Sequence, residues 1–187
     1  MLRRTMNSMR IILVTLLLVL GGSASAAHLR VYGLVTEIEG SSPISGVMVK
    51  VYKDGERLEP FYTGANGRYN VDLDNGAFYV IRFVKDGRVT KCFSVDTHGG
   101  EWQGDGKEVS LEIGIIMFEP VSGMDFSFFD MPMGMANFMP LNGQILWSKE
   151  YESKVAPQVL RLMTERASRL AFLATTASQS SVDHRGH

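Results

Sequence analysis

Residues 47–84 read VMVKVYKDGERLEPFYTGANGRYNVDLDNGAFYVIRFV. Val47, Val49 and Val51 alternate with Met48, Lys50 and Tyr52. Tyr69, Val71 and Leu73 alternate with Asn70 and Asp72, and Tyr79, Ile81 and Phe83 repeat the pattern. A period of two with β-branched and aromatic residues on one face marks strands that are half buried and half wet. Between them lie Lys53-Asp54-Gly55, Asn66-Gly67, Asp74-Asn75-Gly76 and Asp86-Gly87, which supply the positive φ angles of tight turns. Such a chain builds an antiparallel sandwich.

Working outward, the same pattern predicts strands over 29–37, 47–53, 56–63, 68–73, 78–84, 89–96 and 108–117. No helical periodicity separates them, so two packed sheets are expected and a βα unit is not. The expected fold is all-β: a seven-stranded Greek-key sandwich over 28–118, then an irregular Met/Phe-rich extension and a helix. The glycine-rich loop 97–107 reads as a surface excursion. On the strand 89–96, Val89, Phe93 and Val95 share a face. Cys92, the sole cysteine, is expected on the wet face opposite, and it has no partner for an internal disulfide.

The N-terminal residues read as a transport signal. Arg3, Arg4 and Arg10 are followed by the uninterrupted apolar run Ile11–Leu20, a Gly21-Gly22 break and the small residues Ala24-Ser25-Ala26. The run is shorter than the roughly 20 residues a membrane-spanning helix needs. A cleaved signal over 1–26 is expected, with retention as an anchor the alternative. Its loss removes three arginines and moves the formal charge from −1 to −4. That balance disfavours nucleic acid and anionic membrane surfaces as partners.

From Val121 to Leu146 the composition changes, and Pro132, Gly134, Pro140 and Gly143 argue against regular structure. The extension, placed at 119–147, carries the candidate partner contacts Met124, Phe126, Phe128, Phe129, Met131, Met133, Met135, Phe138 and Met139. So much apolar surface must either wrap the sandwich or meet another molecule. A helix is expected over 148–176, capped by Ser148 or restarted at Ser153 so that Pro157 falls in a first turn. Val159, Leu160, Met163, Ala167, Leu170, Ala171 and Ala174 would form its apolar face. The polar residues 177–187 read as a disordered tail.

Taken as a set, several short motifs resemble the carboxypeptidase regulatory-like domain, a transthyretin-like sandwich. They are Gly33-Leu34-Val35-Thr36, Pro43-Ile44-Ser45-Gly46-Val47, Thr63-Gly64-Ala65-Asn66-Gly67-Arg68-Tyr69, and Tyr79 to Phe83 with Lys85-Asp86-Gly87. Phe118 to Asp125 and Trp147 to Tyr151 are similar to the tail that follows this module in some exported bacterial envelope proteins, although the Met131–Met139 segment departs from that pattern. The resemblance implies a non-catalytic accessory or adhesive module and brings no catalytic residue with it.

The residues themselves offer few chemical constellations. Met131-Pro132-Met133-Gly134-Met135 has the thioether spacing of Cu(I) handlers, but interleaved phenylalanines favour packing. His98-x-x-Glu101 matches two zinc ligands and lacks a third. Asp72, Asp74 and Asn75 make half a calcium loop without its glutamate. Trp102 and Tyr62 could stack on a sugar ring. No serine stands in a nucleophile elbow. The expectation is therefore an exported, non-catalytic protein of the periplasm or outer envelope, acting as a structural or protein-binding module. No catalytic residue, metal ligand or cofactor is expected. The alternative is a periplasmic binder of Cu(I) or carbohydrate. The expected partner is another envelope protein or a second copy; nucleic acid is excluded and peripheral membrane association stays open.

Overall fold

The computed structural model describes residues 28–99, 109–139 and 143–183. The expected signal segment lies outside the described residues, as do Glu101 and Trp102 of the loop. The strands are β1 (His28–Glu37), β2 (Met48–Lys53), β3 (Glu56–Arg57), β4 (Phe61–Tyr62), β5 (Arg68–Asp74), β6 (Phe78–Val84), β7 (Lys91–Asp96), β8 (Val109–Glu112), β9 (Ile115–Met117), β10 (Met135–Met139) and β11 (Gln144–Trp147). A 3-10 turn spans Ser127–Asp130, and one helix, α1, spans Lys149–Asp183.

The strands form a β-sandwich, as the alternation predicts. One sheet has the order β5-β1-β8, with β9 continuing along β1; the other runs β11-β10-β7-β6-β2-β3, with β4 also on β2. Register brings like faces together: Val49 pairs with Phe83, Val51 with Ile81, and Tyr79 with Val95. Val49, Ile81 and Phe83 have no exposed surface. Each such side chain contributes about 1.5–3 kcal/mol on removal from water. Thr63 stitches the entry to β2, since its buried Oγ1 accepts from Val47 N and donates to Ile44 O, both at 3.0 Å.

Gly33 explains why β8 and β9 are separate strands. Tyr32 O accepts from Ile113 N at 2.9 Å, and the Tyr69 hydroxyl donates to Ile113 O at 2.8 Å. A Cβ on Gly33 would collide with that same Ile113 carbonyl. The backbone thus crosses β1 at close range and kinks at Ile113-Gly114, breaking the strand expected over 108–117. Leu58-Glu59-Pro60 similarly divide the strand expected over 56–63.

The extension is not irregular throughout. It lays β10 parallel to β7 (Met135 opposite Ser94, Ala136 opposite Val95) and folds back as β11. Cys92, expected on the wet face, is instead buried, with Sγ donating to Asp130 O at 3.4 Å. Met133 N donates to Cys92 O at 2.8 Å, so the face expected to be wet is roofed by the extension. Period two reports which residues share a face and cannot report that a second layer covers the other one.

Helix α1 starts at the Ser148 cap, whose Oγ accepts from Tyr151 N at 3.2 Å. It carries Pro157 beyond the first turn and continues to Asp183, past the expected end at 176. Its buried face is Val155, Leu162 and Arg166, with Val159 and Met163 partly covered, whereas Leu160 stays 69% exposed. Leu162, with Val159 and Met163 packed alongside, joins Val89, Phe118, Val121, Phe126 and Phe129 in a second, smaller core. No helix among the described residues is long and apolar enough to cross a membrane.

Candidate functional site

The smaller core contains a lysine. Lys91 has the same parity on β7 as Phe93 and Val95, so its side chain starts on the apolar face. At that end of the strand the main core gives way to the cluster of Phe118, Phe126 and Phe129. Phe118 meets Phe126 and Phe129 edge to face, at centroid distances of 5.4 and 5.6 Å. The Lys91 Nζ lies 3.3 Å from the ring centre of Phe129 and 4.2 Å from that of Phe118. No hydrogen bond or ion pair joins it to a described residue.

The charge that acts on it has the same sign. Arg166, on α1, places its guanidinium 4.7 Å from the Phe118 ring centre. Its Nη2 donates to Glu39 Oε1 at 2.9 Å, while its buried Nε has no partner. Burial first, and the Arg166 charge second, push the Lys91 amine down to about 7. The two ring faces favour the ammonium and oppose part of that shift. The shift favours the free amine, which is the nucleophilic form.

Lys91 also lines a cavity of about 430 Å³ beneath α1. Phe93, Ile113, Ile115, Phe129, Met133, Trp147 and Val159 form apolar walls, and Ser148 and Glu152 add polar groups. The cavity owes its shape to Gly134, where a Cβ would come within 2.7 Å of the Trp147 ring. Tyr151 fixes the wall by donating its hydroxyl proton to Pro132 O at 2.9 Å. Cys92 is not a second nucleophile, because burial pushes its thiol up to about 11.

The sequence-derived contacts are dispersed. Phe138 joins the main core. Phe126 and Phe129 are buried in the second core, with Met124, Phe128 and Met133 packed against it. Met135 borders the cavity. Met131 and Met139 remain exposed. Asp72 and Asp74 are occupied by Arg30 and Lys53. His98 Nδ1 lies 2.7 Å from Asp96 Oδ1, in an exposed pair. Tyr62 borders a separate groove with Phe61, Tyr32 and Arg68. Among the described residues no three His, Cys, Asp or Glu side chains converge. Lys91 itself was missed, although its parity with Phe93 and Val95 was the available signal: a charge on the apolar face of a strand.

No family model and no curated protein matches this sequence. Solved structures similar in fold include 3-chlorocatechol 1,2-dioxygenase from Rhodococcus opacus 1CP, with a TM-score of 0.41 and 13% identity over 53% of this chain. The match spans 62% of that protein's chain. Another is the dioxygenase domain of a dioxygenase carbohydrate-binding fusion from Streptomyces sp. SirexAA-E, with a TM-score of 0.39 and 12% identity over 54% of this chain and 86% of that one. The Bacillus anthracis TIE protein is similar over 50% of this chain and 17% of its own, at 15% identity and a TM-score of 0.38. These likenesses concern fold alone. Dioxygenases recur among them, and the expectation of a non-catalytic structural or binding module, with its copper and carbohydrate alternatives, finds no support there. The apolar surplus that motivated that expectation is largely spent inside the molecule, on β10 and the second core.

Proposed function

We propose that the cavity under α1 binds a small, mainly apolar carbonyl compound and that Lys91 reacts with it as an amine. The observation that carries this reading is the placement of Lys91 Nζ on two aromatic faces, without a carboxylate partner, at the wall of the cavity. The free amine adds to the carbonyl carbon, forming a C–N bond. The carbinolamine then loses its hydroxyl as water, leaving an imine on Lys91. The proton that departs with the hydroxyl is one the amine nitrogen gives up, so the step balances without an added acid. The protonated imine draws electrons from the neighbouring carbon, so bond cleavage next to the carbonyl is the reaction class this amine serves.

The test is reductive trapping. Benzaldehyde with borohydride should add one benzyl group to the intact protein, mapped to Lys91 by peptide mass spectrometry. The rate should rise with pH and level off above about 7. Lys91→Met should lose the adduct while keeping the native dichroism spectrum. Labelling spread evenly over the surface lysines would end this reading.

Two further points belong to the same proposal. The motif set supports descent of residues 28–118 from the stock of the carboxypeptidase regulatory-like domain. The leader pattern in residues 1–26 supports export as the setting.

A further inference from the structure

The ends of both sheets differ in how they are protected. Exposed sheet edges invite pairing with another strand, and proteins blunt them with charge, proline or short length. Edge strand β5 carries Arg68, Asp72 and Asp74; β8 carries Glu112; β3 is Glu56-Arg57. Strand β4 has two residues and adjoins Pro60. The three-residue β9 is uncharged, but Ile115 and Ile116 border the cavity beneath α1. Strand β11 stands apart. Gln144-Ile145-Leu146-Trp147 has neither charge nor proline, ends the larger sheet, and leaves Leu146 46% and Trp147 39% exposed.

Register fixes what this edge offers. Ser148 N donates to Met135 O at 2.7 Å, and Leu146 lies opposite Asn137. Hydrogen-bonded and non-bonded pairs alternate along an antiparallel ladder. The backbone of Leu146 therefore faces β10, and the N–H and C=O groups of Ile145 and Trp147 point away from the sheet.

We infer that β11 pairs with β11 of a second copy, antiparallel about a two-fold axis at Leu146, joining two larger sheets into one. In this register each copy's Ile145 lies opposite the other's Trp147. Their outward N–H and C=O groups exchange about four hydrogen bonds. Leu146 meets its own copy across the axis in a close, non-bonded pair. A second copy is the occupant the composition favours. The strand has no charge for a different partner to complement, and self-pairing sets apolar opposite apolar along its length. The two-fold arrangement also uses up the open edge from both sides, so association stops at the dimer.

Sedimentation velocity of the mature chain over a dilution series should show a monomer–dimer equilibrium. Leu146→Lys sets two ammonium groups opposite each other on the axis. It should give monomer at every concentration while keeping the native dichroism spectrum, since Leu146 is exposed. Leu146→Cys should form an inter-chain disulfide under mild oxidation, because Cα atoms of a non-bonded antiparallel pair lie about 4.5 Å apart, within disulfide reach. Ile116→Cys, at a more exposed position on the other sheet, should not. A wild-type chain that stays monomeric, a Leu146→Lys dimer, or equal crosslinking of both cysteine variants would overturn the assignment.

Discussion

Lys91 and Cys92 are neighbours on one strand whose chemistry diverges because of what each meets. Burial moves both groups towards their neutral forms, the amine down to about 7 and the thiol up to about 11. Only the amine thereby becomes a nucleophile, since the neutral thiol is the inert form. The amine's position also has a thermodynamic signature. Its folded pKa lies below the ordinary 10.5, so between about 7 and 10.5 the unfolded chain binds the extra proton and stability rises with pH. Replacing Lys91 by methionine removes this penalty. The variant should be more stable than the parent at pH 6, by about 1–3 kcal/mol after the lost ring contacts are counted. The advantage should grow as pH falls from about 10.5 to about 7 and then stay level. Urea titrations at pH 6 and pH 10 would measure it, and an advantage larger at pH 10 would refute the account. Sequence alternation made Lys91 visible as a charge on an apolar face, but its company is not local: Phe118, Phe129 and Arg166 arrive from other segments.

At the scale of the element, α1 separates periodicity from burial. Leu160 and Leu162 are both leucines on the same helix, yet Leu162 is 5% exposed and Leu160 is 69% exposed. Truncating Leu162 to alanine opens a cavity beside Phe118 and Phe129 and should cost about 2–4 kcal/mol. The same change at Leu160 should cost under about 0.5 kcal/mol. Chemical denaturation of the two variants would compare them directly; equal losses would mean that α1 docks through another face. The apolar positions expected from the sequence included Val159 and Met163, which pack inward, but also Leu160 and Leu170, which do not. Helical spacing allows several overlapping stripes, and only the partner surface selects one. Polar Arg166, outside the expected stripe, is buried because Glu39 and the Phe118 face receive it.

Across the whole molecule, the extension and the sandwich are one folding body. Strands β10 and β11 complete the larger sheet, and Asp130 is held from the sandwich side by Arg82 as well as by Cys92, with Arg82 Nη2 donating to Asp130 O at 2.6 Å. Exposure of the thiol therefore requires the extension to leave. Labelling of Cys92 with a thiol reagent should be slow in native buffer, and its midpoint in urea should coincide with loss of the dichroism signal. Labelling well below that midpoint would show the extension opening by itself.

The strands β1, β2, β5, β6 and β7, their turns and the sandwich they build were settled by the sequence alone. Side chains that alternate every second residue need only their neighbours to declare a face, and glycine turns declare the reversals. Tertiary structure decided what covers those faces. It turned a proline-interrupted Met/Phe run into two sheet strands, roofed Cys92, chose one stripe of α1 and enclosed Lys91 between distant aromatic rings. These outcomes depend on contacts between residues far apart in the chain, and local patterning holds no information about which surfaces meet.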